Sequence, residues 1–183
     1  MQASAGSPGA LRLELPGVVA RLGVKGPDAA QLLAQLALPV PSLPNRYSRL
    51  LPDVHAGGGR CLRLGNTEFL LEQDGADSAV AGLQQALAAT DLRAWPAPRC
   101  DRSLVLRGPD PGALLLQVCD FDFAALEAMP DAAVMTLMAD ISVILICDHD
   151  TGTPGIRIWC DPGYGDYLHD CLATLLNPTG TSA

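Results

Sequence analysis

The apolar positions of this chain fall into two copies of one pattern. Leu22-Gly23-Val24 leads through Lys25 into the turn Gly26-Pro27-Asp28, after which Leu32, Leu33 and Leu36 recur at helical spacing. Leu104-Val105-Leu106 leads through Arg107 into Gly108-Pro109-Asp110, and Leu114, Leu115 and Val118 follow at the same spacing. Gly26 and Gly108 lie 82 residues apart. Each copy predicts a strand, a basic residue, a tight turn and a helix. Glycine supplies unusual dihedrals where the strand ends, and proline presets φ for the turn or the first helical residue. Asp28 and Asp110 are placed to cap the helix start. The pattern predicts that Leu32, Leu33, Leu114 and Leu115 are buried.

A second block follows each copy. Arg60 to Leu64 and Thr67 to Glu72 are short apolar runs joined at Gly65-Asn66, a hairpin signal. Ser78 to Ala89 carries apolar residues at 80, 83 and 87, which predicts a helix. In the second half, Ile141 to Cys147 is a β-branched run, Asp148 to Gly155 a turn and Ile156 to Cys160 the returning strand. Val134 to Met138 predicts a further strand, and Tyr164 to Leu176 a closing amphipathic helix.

These elements predict an α+β fold of duplicated strand–helix–strands–helix halves with mostly antiparallel sheets. The first half spans residues 11–95 and the second 100–176, with flexible ends at 1–10 and 177–183. The boundary is set at the proline-rich stretch Trp95-Pro96-Ala97-Pro98-Arg99. Pro39 to Gly59 reads as one long loop, a functional loop or a docking surface.

Charge narrows the function classes. With 20 acidic against 12 basic side chains, the net charge is -8. That disfavours gripping nucleic acid or lying on an anionic membrane. Hydrophobic residues make up 49% of the chain and charged residues 17%, which excludes disorder over most of its length. Lys25 is the single lysine, so any lysine chemistry would fall to it. No run reaches the roughly 18 apolar residues of a membrane span, and the start has no signal-peptide pattern. Six scattered cysteines without a C-x-x-C pair read as reduced, buried thiols, so the expected location is the cytoplasm.

Candidate chemistry is sparse. No dinucleotide fingerprint, P-loop or G-x-S-x-G elbow occurs. No catalytic residue and no metal site is assigned. Cys147-Asp148-His149-Asp150 reads as a solvated hairpin tip rather than a metal site, because adjacent turn residues rarely converge on one ion. Asp166 and His169 lie one helical turn apart and read as a surface pair. Trp159 could stack on a ligand ring, but packing is the favoured reading. Lys25 and Arg107 end the first strand of each half, where each could hold an anion or pair with a local aspartate.

The segments Leu15-Pro16-Gly17-Val18, Gly26-Pro27-Asp28-Ala29, Leu38-Pro39-Val40-Pro41 and Leu62-Arg63-Leu64-Gly65-Asn66-Thr67-Glu68-Phe69-Leu70-Leu71 resemble the gamma subunit of heterotetrameric sarcosine oxidase. Arg107-Gly108-Pro109, Val134 to Met138, and Arg157-Ile158 leading into Tyr167-Leu168 extend the resemblance over roughly Leu15 to Leu176. It implies the fold of the folate-binding aminomethyltransferase domain. It also implies a non-catalytic subunit, with FAD, FMN, NAD and tetrahydrofolate on the larger alpha and beta subunits and no cofactor on this chain. The aminomethyltransferase hairpin Thr-Gly-Glu-x-Gly-Phe-Glu corresponds to Thr151-Gly152-Thr153-Pro154-Gly155-Ile156-Arg157, where Thr153 and Arg157 stand in place of the glutamates. The cofactor-binding residues are left unassigned, with Lys25, Arg107, Arg157 and Trp159 as the candidates, and weak or no folate binding by this chain alone is expected. A folate-dependent one-carbon enzyme or folate-binding regulator, a subunit of N-methylglutamate dehydrogenase, and a small-molecule-binding domain of this fold remain alternatives.

Overall fold

A computed structural model describes residues 10–50, 58–75, 79–149 and 152–177. The chain forms two compact units. One comprises Gly17–Cys100 with Asp131–Val134; the other takes the described residues up to Pro16, Asp101–Pro130 and those from Met135 onward. Residues 11–16, which the repeat assigns to the first half, therefore belong to the unit built on the second. Most of the predicted termini, 1–9 and 178–183, lie outside the described residues.

The first unit is built on β2 (Val19–Lys25), α1 (Ala29–Gln35), β3 (Arg46–Leu50), β4 (Gly59–Arg63), β5 (Glu68–Asp74), α2 (Ala79–Ala89) and β6 (Trp95–Ala97). Its antiparallel sheet has the order β3-β4-β5-β2-β6. Side chains alternate across a strand, so Leu22, Val24, Cys61, Phe69 and Leu71 share one face. Against it pack Leu32 and Leu33 of α1 with Val80 and Leu83 of α2. Residues 131–133 join this unit by backbone: Tyr47 N–H donates to the Asp131 carbonyl at 2.8 Å, and Ala133 N–H to Asn45 at 2.9 Å.

The second unit holds β1 (Arg12–Glu14), β7 (Arg102–Arg107), α3 (Pro111–Leu115), α4 (Phe123–Ala128), β9 (Ile141–Cys147), β10 (Gly155–Cys160) and α5 (Gly165–Leu176). Strand β8 (Ala133–Met138) runs into it from residues 131–134. The sheet order is β1-β7-β10-β9-β8. Leu104, Leu106, Leu115, Leu126, Leu145, Ile158, Leu168 and Leu172 are fully buried.

The two sheets repeat one detail. The short strand that precedes each copy's first long strand pairs in the other copy's sheet. Arg12, Leu13 and Glu14 face Arg107, Leu106 and Val105, while Trp95, Pro96 and Ala97 face Lys25, Val24 and Gly23. The registers coincide, because Arg107, Leu106 and Val105 are the repeat equivalents of Lys25, Val24 and Gly23. Gly26 and Gly108 adopt φ of +139° and +138°, conformations that only glycine accepts readily. Their N–H groups donate to Thr67 at 2.9 Å and Pro154 at 3.0 Å. A Cβ on Gly108 would lie 2.7 Å from Leu11 Cα, and one on Gly26 would run into the Arg93 carbonyl. Each glycine thus seats the lead-in to the exchanged strand.

Several expectations change. Trp95-Pro96-Ala97 is an edge strand rather than a linker; Pro96 is tolerated because edge strands leave donors unpaired. Pro39 to Gly59 is not a continuous loop: it contains β3, and residues 51–57 lie outside the described ones. Leu115 is fully buried but Leu114 only partly, since α3 turns the face of Pro111 and Leu115, four residues apart, to the core and leaves Leu114 at its side. Asp110 caps α3, its Oδ1 accepting from Ala113 N–H at 3.1 Å. Asp28 instead accepts from the Arg93 guanidinium at 3.0 Å and from the Arg93 backbone N–H at 2.9 Å, which holds its carboxyl below the usual carboxylate range.

Candidate functional site

Of the four candidate residues, three come together. The register of the second sheet puts Arg107 opposite Gly155, Val105 opposite Arg157 and Ser103 opposite Trp159, all on one face. Asp148, just past the end of β9, lies beside them. Its backbone N–H donates to the Gly155 carbonyl at 2.7 Å and closes the base of the hairpin.

Asp148 is the centre of the arrangement. Its Oδ1 accepts from Arg107 Nη2 at 2.9 Å and its Oδ2 from Arg157 Nε at 2.8 Å. Arg107 Nη1 also donates to the carbonyls of Asp148, at 3.2 Å, and Thr153, at 3.0 Å. Arg107 Nε meets Glu14 Oε2 of β1 at 3.2 Å. Asp148, Arg107 and Arg157 are all buried. Burial works against charge on Arg107, but the bonds and fields of Asp148 and Glu14 outweigh it and hold the guanidinium charged. The guanidinium of Arg157 lies 6.0 Å from the buried Trp159 ring, a cation–π distance. Gly155 leaves room for Arg107, because a Cβ there would sit 3.1 Å from Nη1.

The solvated-tip reading of Cys147-Asp148-His149-Asp150 is thus corrected at Asp148, while His149 is exposed and Asp150 lies outside the described residues. Lys25 does not join. It is half-exposed in the first unit and pairs with Glu68 at 3.1 Å, a glutamate rather than an aspartate. Asp166 and His169 do not pair with each other: His169 Nδ1 lies 3.1 Å from Asp170, and Asp166 lies 4.0 Å from Arg102.

The first unit contains a second arrangement that sequence reading missed. Buried Glu72 accepts from Arg21 Nε at 2.6 Å and Arg60 Nη1 at 2.7 Å. Glu72 faces Arg21 on β2, whereas the repeat equivalent of Arg21 is Ser103, which faces Trp159. The two carboxylates therefore occupy non-equivalent places, so the repeat carries no signal for either.

Chemically, the Asp148 arrangement is a clamp. Both carboxylate oxygens are taken by guanidinium groups that carry no removable proton at neutral pH, so Asp148 is poorly placed to act as a general base. A pterin presents an amino–imino edge of donors, and Asp148, the buried carboxylate at the base of this hairpin, is engaged on both sides. The residues here do not fit that edge. Among the described residues no group of three potential ligands could hold a metal ion. The six cysteines are free thiols, four of them buried. No helix among the described residues is long and apolar enough to cross a membrane.

No family model and no curated protein sequence matches the chain. Solved structures do. A chain of heterotetrameric sarcosine oxidase from Corynebacterium sp. U-96, in complex with pyrrole 2-carboxylate, superimposes with a TM-score of 0.72 at 21% identity. The match covers 94% of this chain and 87% of that one. Aminomethyltransferase T of the glycine cleavage system from Bartonella henselae gives a TM-score of 0.70 at 20% identity, covering 90% of this chain but 45% of that one. These likenesses establish the α+β fold, which this chain shares with both proteins.

Proposed function

We propose that this chain is a non-catalytic, gamma-type subunit of a sarcosine-oxidase-type complex. The observation that carries the reading is the reciprocal coverage. The match to the sarcosine oxidase chain is nearly end to end on both sides, whereas less than half of the aminomethyltransferase is matched. A chain of similar length within a heterotetramer is a better precedent for this one than part of a larger enzyme. The clamp at Asp148 agrees, since its buried charged groups serve one another rather than a ligand. In this reading the larger alpha and beta subunits carry the FAD, FMN, NAD and tetrahydrofolate, and this chain shapes the assembly.

The test has two arms. The isolated chain is titrated with tetrahydrofolate by calorimetry and assayed for sarcosine oxidation and flavin absorbance after dialysis. It is also purified from its source under mild conditions. The expected result is no activity, no flavin colour and no micromolar folate binding alone, with large flavoprotein chains and sarcosine oxidation recovered together. Tight folate binding with no larger partner would replace this reading with a folate-binding one-carbon protein. Recovery with chains that oxidise N-methylglutamate would reassign the substrate.

A further inference from the structure

The second unit carries an open groove of about 560 Å³ between α3 and α4. Its apolar part includes exposed Leu116 and Pro154 together with buried Phe123. Asp110, Asp122 and Glu127 rim it, and none of its lining residues is basic. We propose that this groove docks a segment of a partner protein in which an arginine or lysine stands among apolar residues.

Charge complementarity and shape select that occupant. Asp110 and Asp122 are fixed in place, because the Oδ1 of each accepts helix N–H groups: Ala113 for Asp110, and Ala124 and Ala125 for Asp122. Glu127 follows Phe123 by four residues, so both stand on one side of α4. A long basic side chain can lay its apolar stem on Leu116 and Pro154 while its charged head meets the carboxylates. A second copy of this chain is a poor occupant. It brings 20 acidic against 12 basic side chains, and like charges facing each other suppress association. The proposal is independent of which complex the chain belongs to.

The test places the photo-crosslinker p-benzoylphenylalanine at Leu116 of the full chain in its source cells. The cross-linked peptide is then identified by mass spectrometry. The expected adduct is one defined segment of a different protein, with Arg or Lys flanked by apolar residues. Glu127→Arg should lower the adduct yield at least tenfold, and half-molar salt should lower it too. Asp110→Asn and Asp122→Asn keep an oxygen for the helix caps and should each lower the yield severalfold without shifting Tm. Circular dichroism of every variant separates loss of docking from loss of fold. Adducts scattered over many proteins, an adduct to a second copy or to an acidic segment, no adduct, or a yield indifferent to Glu127→Arg would each overturn the proposal. An adduct to a basic segment of a protein that is not a flavoprotein would uphold it while removing the sarcosine-oxidase reading.

Discussion

Asp148 gives one oxygen to each of two buried arginines, so its removal strands two charges at once. Arginine cannot shed its proton to relieve that cost. Asp148→Ala should therefore lower stability by about 3–5 kcal/mol, measured by urea unfolding. Asp148→Asn should cost less, because the amide oxygen still accepts one bond. The thiols give a second expectation. Cys61 is fully buried, and burial pushes its thiol from 9.0 up to about 12. A thiol reagent at pH 8 should modify exposed Cys100 first, half-buried Cys171 more slowly, and Cys61 only on unfolding. Because the folded state holds the Cys61 proton more tightly, this thiol's contribution to stability is intact below pH 9. It is lost as pH climbs toward about 12, which unfolding curves at increasing pH would record. Little of this was legible in the sequence. Arg107 and Asp148 are 41 residues apart, and Asp148 stands in a run of turn-like residues. Arg63 is similar. It donates to the carbonyls of Pro41, Ser42, Gly65 and Asn66, a pin between two loops that no local pattern announces.

At the scale of elements, legibility followed the length and regularity of the hydrophobic pattern. Strands β2, β7, β9 and β10 and helices α1, α2 and α5 carry enough periodic residues to be read directly. Strands β1 and β6 have three residues each, and β6 includes a proline, so neither offers a period. Helix α4 was missed although Asp122 caps it, because its six residues complete fewer than two turns and, unlike the still shorter α3, no repeat copy marks it. Helix α3 tests how far a pattern can be trusted. Leu115→Ala should cost about 2–5 kcal/mol and Leu114→Ala distinctly less, both by thermal or urea unfolding. The turns offer a matched pair. Gly26→Ala and Gly108→Ala should each destabilise by at least about 1–3 kcal/mol from the backbone alone. Displacement of Arg93 or of Leu11 adds to that. Similar losses in both variants are expected, since the two glycines share φ and role.

For the whole molecule, the exchanged strands decide what depends on what. β1 pairs with β7, and its Glu14 bonds Arg107, so residues 10–16 serve the unit built on the second repeat. Removing residues 1–16 should raise amide hydrogen exchange along β7 and β10 more than along β2 and β5. Equal loss of protection in both sheets would contradict the assignment of β1. The matching edge strand of the first unit's own sheet is β6 on β2, and Pro96→Gly there should loosen that sheet while sparing the second's.

The same exchange sets a timetable for a ribosome. Strand β6 emerges soon after the hairpin and helix of the first repeat, so the sheet around β2 has its edge strand in hand early. Strand β1 is made before any of these, yet Glu14 must wait for Arg107, 93 residues later in the chain. At elongation rates of roughly 5–20 residues per second, that wait is on the order of 5–20 seconds. Through it, strand β1 has no lasting partner. A segment made early is thus secured late, and the cell must keep it from pairing elsewhere in the meantime.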